Sequence, residues 1–402
     1  MDFDVIVLGA GAAGMMCAAV AGQRGRRVLL VDHAAVLAEK IRISGGGRCN
    51  FTNRDVRPEN FLSRNPHFCR SALSRYTPRD FIALLDRHGI AYHEKDHGQL
   101  FCDDSARQVI DMLKAECDNA GVQWAMPVEI RSVSRLTGDE GGFEVTTTRG
   151  SHHARAVVVA TGGLSIPKIG ATPFGLRLAE QFGIPVVPPK PALVPLAAPP
   201  EWLQRFGALA GSSFDAVTSC ADIPRSEKYP SFRESALITH RGLSGPAILQ
   251  VSSYWQMGGA RGPVSIDLMP GVDAAGWLAE HRRSQQTPGN MLAEVLPRRF
   301  ATSFAELHGW TQPMAQISNA VAGAIAQTLK DWRIQPSGTL GYAKAEVTLG
   351  GVDTSALSQQ TFEARSVPGL HFIGEVVDVT GWLGGYNFQW AWASGHAAGT
   401  AV

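Results

Sequence analysis

A chain of 402 residues exceeds one ordinary hydrophobic core, so two or three domains are expected, and 45% hydrophobic with 18% charged residues describes a well-packed globular protein. Thirty-seven Lys and Arg against 36 Asp and Glu leave a net charge of +1, without the broad cationic footprint expected for nucleic acid or an anionic membrane as partner. The six cysteines (17, 49, 69, 102, 117 and 220) form no CxxC pair and no metal-ligand spacing, so no metal is expected, and free thiols suit a reducing cytoplasm.

The chain starts with a buried-strand pattern at residues 5–8, then Gly9-Ala-Gly11-Ala-Ala13-Gly14, "GAGAAG", and an alanine-rich helix that Gly25 closes. The apolar run could pass for a targeting segment, but Met-Asp-Phe-Asp precedes it instead of a basic region. A second strand at 28–31 ends in Asp32. Each part has a task in dinucleotide binding. Gly9 makes the tight turn, Gly11 lets backbone approach a pyrophosphate, and Gly14 lets the helix pack on the strand. The helix N-terminus offers N–H groups, and Asp32 accepts from a ribose hydroxyl. The small residues continue to Ala18 and Gly25, a pattern that resembles the extended fingerprint of FAD enzymes built like glutathione reductase, and the resemblance favours FAD over NAD at this site.

Next comes "KIRISGGGRCNFTN", residues 40–53, a second glycine loop. Its glycines are expected to lay backbone against the flavin and ribityl end. Arg48 either binds an anion or pairs within its own domain. Cys49 is expected to be a small packing residue, the alternative being a thiolate nucleophile. Asn50 and Asn53 are expected to hold the loop through their side chains.

Helices are expected at 66–76, 78–88 and 105–120. A β-meander is expected over 122–160, with "TGDEGG" (137–142) as a hairpin turn and Val128 within its second strand. "ARAVVVATGG" returns to the nucleotide sheet, ending in Thr161-Gly162-Gly163. The proline-punctuated stretch from Pro185 marks a crossing into another domain. Residues 190–270 read as short strands, and 274–330 as helices with Ile317, Val321, Ile325 and Leu329 as a core-facing stripe over 314–332. His240 and Arg241 lie on this inserted part, as a candidate proton donor and a candidate substrate-binding cation. The C-terminal segment supplies a strand at 370–373, Gly374-Glu375, Asp378, then Gly384-Gly385-Tyr386-Asn387 opening a final helix. A helix N-terminus there would stabilise negative charge on a reduced flavin, and Tyr386 is a further candidate proton donor.

Taken together, "ISGGGRCNFTN", "THRGLSGPAIL" (239–249), "VTLGGV" (347–352) and "GGYNFQWAWASG" (384–395) resemble the BaiN-like (YhiN-like) bacterial FAD-dependent oxidoreductases from end to end. The resemblance implies an α/β fold: a Rossmann-like FAD domain split between the two ends of the chain, with inserted β-barrel-like and helical domains. The boundaries it suggests are 1–188, 189–272, 273–336 and 337–402. It implies that Lys40, Ser44, Gly45, Gly46, Gly47, Arg48, Cys49 and Asn50 join the fingerprint, Val128, the 161–163 turn and the 374–387 segment in holding FAD. Glu39 departs from the pattern, where an arginine is more usual, and so does Trp382-Leu383.

The expected activity is hydride transfer through flavin N5 to or from a small organic substrate, with reduction of an activated C=C bond preferred. No second GxGxxG unit appears downstream, so NAD(P)H would dock only transiently as donor. A non-catalytic FAD sensor and an RNA-modifying flavoprotein stand as alternatives. The charge balance argues against the latter, and no nucleic-acid or membrane partner is expected. Substrate and oligomeric state are left open.

Overall fold

The computed structural model describes residues 1–136, 141–222 and 229–402, so the turn expected at 137–142 lies mostly outside the described residues. The chain divides into two compact units, Met1–Lys190 with Val347–Val402, and Pro191–Glu346.

The first unit is built on a mixed sheet of β1 (Phe3–Leu8), β2 (Val28–Val31), β3 (Gln123–Ala125), β4 (Ile130–Arg135), β5 (Phe143–Thr147), β6 (Gly150–Val159) and β7 (Leu370–Phe372). The order is β3-β2-β1-β6-β5-β4, with β7 also on β6. Long β6 divides its outer edge. Residues 150–154 pair antiparallel with β5, and Val157–Val159 pair parallel with β7. The central strands are apolar on both faces, as parallel strands between helices must be.

The meander is shorter than its sequence pattern suggests. Residues 122–126 do not begin it, because β3 pairs parallel with β2, Leu29 opposite Gln123. The helix Ala106–Asn119 carries the chain across before β3, and such a crossover yields a parallel neighbour. The meander consists of β4, β5 and β6. The helix expected at 66–76 is also shorter, Arg70–Arg75.

Helices α1 (Ala12–Gln23) and α2 (Tyr386–Ala401) pack closely because α2 is glycine-notched. A Cβ on Gly395 would stand 2.6 Å from Ala13 O, and one on Gly399 2.7 Å from Cys17 O. The C-terminal segment is thereby joined to the opening βα unit.

The second unit holds a seven-stranded antiparallel sheet whose edge strands are Trp332–Ile334 and Gly338–Thr339. Seven flat strands would span ~29 Å. The chain between these edges, Ile334 to Gly338, reaches only ~14 Å. The sheet therefore curls on itself, the barrel-like form that the resemblance implied. The helices within 274–330 belong to this same unit.

Two features depart from the sequence reading. Pro246–Met257 is a helix inside the stretch expected to be strands; it is buried on nearly every side and so shows no amphipathic period. The long helix is Asn319–Lys330, and Val321 on its first turn is 45% exposed while Ile325 and Leu329 are fully buried.

Candidate functional site

Four parallel strands of the first unit end in one row: Val31, Leu8, Val159 and Phe372 face each other in register. The residues just past these strand ends line the crevice at their carboxyl side, the place where open α/β sheets bind ligands. They are Asp32, Gly9, Ala160-Thr161 and Gly374-Glu375. Gly9 turns with φ 108°, where a Cβ would press on Ala160 O at 2.5 Å. Gly14 is pinned harder, its Cβ falling 1.8 Å from Gly9 O. Gly374 (φ 70°) abuts Ala13. The first-turn N–H groups of α1 have no intrahelical acceptor and carry its positive dipole end. Asp32 accepts from Ala10 N–H (2.6 Å) and Ala34 N–H (2.7 Å), so its carboxylate fixes the glycine turn and keeps lone pairs for a ribose.

The glycines fall into two kinds. Gly9, Gly14, Gly163, Gly374 and Gly385 would each bring a Cβ into protein atoms. Gly11, Gly46 and Gly162 would meet nothing within 4 Å, so their backbones border open space. Bare backbone beside open space, at a helix N-terminus and at the second loop, fits an extended dinucleotide such as FAD.

The second loop winds left-handed through Gly45, Gly46 and Gly47 (φ 56°, 67° and 85°). Its continuation, strand Asn50–Asn53, is bound to the start of α2. The Asn50 carboxamide, oriented to satisfy both ends, donates to Thr52 O and Leu100 O and accepts from Gly385 N–H, each at 3.1 Å. Asn53 Nδ2 donates to Gly384 O (3.0 Å) and His97 O (2.9 Å). Gly385 (φ 93°) lies against the Thr52 backbone, where a Cβ would approach to 2.3 Å. Asn387 closes its own loop, accepting from Gly381 N–H (2.8 Å) and donating to Gly381 O (2.9 Å). Buried Gln389 is committed to the core, accepting from Thr52 Oγ1 (2.7 Å) and donating to Tyr76 O (2.9 Å).

Lys40 and Glu375 meet in a network that sequence spacing does not reveal. Lys40 Nζ donates to Glu375 Oε2 (2.5 Å) and Ser165 Oγ (2.7 Å), and Glu375 Oε1 accepts from Thr348 N–H (2.9 Å). Gly163 leaves room for it, since a Cβ there would strike Thr348 Oγ1 and Glu375 Oε1. Trp390 Nε1 donates to Gly374 O (3.0 Å) and Ser394 Oγ accepts from Gly374 N–H (3.0 Å), so α2 braces the same turn. Sequence reasoning missed Ser165, Thr348 and Ser394; "VTLGGV" stands out as a motif, but nothing local marks its threonine as part of the site. Ser44 Oγ donates to Ile41 O (2.8 Å) and starts the glycine turn.

Cys49 is fully buried with φ 50°, and burial pushes its thiol well above the usual thiol range. Arg48 is exposed and makes no side-chain hydrogen bond or ion pair among the described residues. Glu39 pairs with Arg42. Val128 N–H donates to Asp32 O (2.8 Å), beside the ribose end. Asp378 is 2% exposed; its Oδ2 accepts from Arg64 N–H (2.9 Å), and burial, with Asp353 nearby, pushes its carboxyl up. Tyr386 is buried, edge-on to Phe61 and Trp382. In the second unit, His240 and Arg241 are the exposed turn of a hairpin between strands Phe232–Thr239 and Gly242–Ser244. Among the described residues no group of three or more His, Cys, Asp or Glu suits a metal ion, and no helix is long and apolar enough to cross a membrane.

Residues 3–401 match the family described as HI0933-like protein Rossmann domain. The chain belongs to this family. A "Ribosomal RNA dihydrouridine synthase" of Escherichia coli (strain K12) is 52% identical over 398 residues, 98% of this chain and 96% of that protein. Its namesake in Haemophilus influenzae is 45% identical, over 99% and 98%. A "3-dehydro-bile acid delta(4,6)-reductase" of Clostridium scindens is 27% identical, over 98% of each. Membership bears out the BaiN-like resemblance and the α/β, Rossmann-type fold. The chain is an enzyme of the FAD-dependent oxidoreductase class.

Proposed function

We propose that this enzyme reduces the C5=C6 bond of a uracil base in ribosomal RNA, yielding dihydrouridine. The observation that carries this is 52% identity, along nearly the whole of both chains, to a protein of that name. The bile-acid relative fits the same chemistry, because a delta(4,6)-reductase of a 3-oxo substrate also saturates a C=C bond conjugated to a carbonyl. The common step is hydride addition at the carbon β to a carbonyl, with a proton delivered at the α carbon.

Bound FAD supplies the hydride. The α1 N-terminus and Gly11 would hold the pyrophosphate and Asp32 the ribose, while Gly46 and Gly47, whose Cβ positions are open, would present backbone free of side chains to the flavin. The α2 N-terminus favours negative charge at the flavin's pyrimidine edge. Tyr386, on the first turn of α2, is the residue we assign to proton delivery, and NAD(P)H, docking transiently, is the donor we assign.

Net charge speaks against RNA, but it averages over the chain. Between Lys40 and Arg79 stand nine Lys and Arg, of which six pair with carboxylates; Arg48, Arg75 and Arg79 have no ion-pair partner among the described residues, and Arg48 lies at the glycine cradle. Local cationic density is what a phosphate backbone meets. Expression of this chain in E. coli lacking the 52% identical relative, with nucleoside mass spectrometry of purified ribosomal RNA, is the decisive experiment. Dihydrouridine returns if the assignment holds. Its absence, with flavin-loaded protein present, rejects the RNA substrate and leaves a small enone as the alternative.

A further inference from the structure

Beyond the last glycine of the Thr161-Gly162-Gly163 turn, the chain does not go straight to its next helix, Phe174–Gln181. It is first tied to opposite ends of the strand row. On the β7 side, Leu164 N–H donates to Thr348 Oγ1 (2.8 Å), and buried Ser165 is gripped by Lys40 and Glu375. On the β2 side, His33, the residue after Asp32, donates from Nε2 to Gly170 O (3.0 Å). In sheet order β2-β1-β6-β7, a segment tied beside β7 at residue 165 and beside β2 at residue 170 must pass the ends of β6 and β1. Those ends carry the Gly9–Gly14 turn and the open space at Gly11 and Gly162. Three strand spacings are ~14 Å. Five residues containing the tight turn Pro167–Ile169 bridge that gap because the side chains of Glu375 and His33 reach in from either end.

The crossing is held under strain. Ile166, a β-branched residue, sits at φ 55°, a conformation such residues rarely adopt without surrounding constraint. The outer tie is the weak one. Ser165 is buried under several partners, whereas His33 is exposed and its Nδ1 stands 3.6 Å from Asp32, beyond hydrogen-bond range.

We propose that Leu164 to Gly170 is a retaining strap over the ribose and pyrophosphate of the bound dinucleotide, and that His33 is the positioning residue that latches it. The cofactor enters and leaves when the His33 end lifts, while the Ser165 end stays anchored as the hinge. Because retention is read on the cofactor, the outcome is independent of which substrate the enzyme reduces.

The test uses flavin-loaded protein and two readouts. Release of FAD after dilution is tracked by its fluorescence, and trypsin cleavage is tracked at Lys168, the exposed basic residue on the strap. His33→Ala is expected to release FAD faster by about fivefold, the factor one neutral hydrogen bond is worth, and to be cut at Lys168 while the wild type resists. His33→Gln, which keeps a side-chain donor, is expected to behave as wild type. Wild-type release from His33→Ala overturns the latch. Faster release with Lys168 still protected overturns it equally, since His33 would then act on the cofactor directly.

Discussion

Lys40 Nζ lies 2.5 Å from Glu375 Oε2 although 335 residues separate them, and this pair joins the two ends of the chain at the flavin crevice. Both groups keep some contact with water, the side chains being 37% and 17% exposed, so solvent screens their attraction. Lys40→Met is expected to lower unfolding stability by about 1 kcal/mol and to weaken FAD retention more visibly. In a denaturant double-mutant cycle, Glu375→Gln should cost less in the Lys40→Met background than alone. Additive costs would show that the pair is not coupled.

The two kinds of glycine predict two kinds of failure. Gly385→Ala forces a Cβ to within 2.3 Å of the Thr52 backbone, which cannot yield, and should destabilise the fold by ~3 kcal/mol or more. At Gly46 a Cβ would meet no protein atom within 4 Å, and Gly46→Val bears a left-handed backbone cost of ~1–2 kcal/mol. It should stay folded by circular dichroism yet purify colourless, its side chain occupying space meant for flavin. A yellow Gly46→Val protein would remove the second loop from the cofactor site.

Cys49→Ser should keep both flavin and its reduction by NAD(P)H, because a thiol buried this deeply stays protonated and has no route to substrate. Its linkage to stability has a definite sign. The folded state holds the proton above the pH at which the unfolded thiol, near ~8.5, gives it up, so stability falls as pH rises beyond that value. The serine variant should lose less stability between about pH 8 and 10 than the wild type in parallel urea titrations.

How much of the fold is legible in the sequence depends on chain distance. The Gly9–Asp32 unit is readable because strand, glycines, helix and acid are contiguous, and the periodicity survives in β1 and β2. The expected roles of Asn50 and Asn53 hold because asparagines beside glycine turns commonly bond to backbone. Lys40, Ser165, Thr348 and Glu375 converge only after four strands align, and no local pattern announces that. The helix Pro246–Met257 stays hidden because burial on all sides removes the period that identifies helices.

Asp378 was expected among the cofactor ligands, yet its carboxyl is buried on Arg64 N–H. Burial raises its folded pKa above the unfolded value, so its contribution is fully favourable below pH ~4 and is lost as pH climbs through the raised value. Asp378→Asn keeps an acceptor for Arg64 N–H and has no charge to bury. The variant should retain FAD, unfold at a higher temperature than wild type at about pH 7, and lose that advantage toward pH ~4. An Asp378→Asn protein that loses flavin while remaining folded would restore the residue to the cofactor site.

Substitution of Arg48 tests the proposed RNA substrate apart from flavin chemistry. It closes the left-handed glycine turn, is exposed, and has no ion-pair partner among the described residues, which leaves its donors available to an anion. On an RNA substrate that anion is a backbone phosphate near the target base. Arg48→Ala should therefore keep bound FAD and the wild-type rate of bleaching by NAD(P)H, while the KM for ribosomal RNA rises about tenfold and the salt dependence of binding weakens by about one phosphate contact. Arg48→Lys should recover part of the affinity, since it keeps the charge without the fork. An alanine variant with wild-type RNA affinity and salt dependence would place the phosphate contacts elsewhere on the enzyme, and slower bleaching would instead mark Arg48 as part of the flavin site.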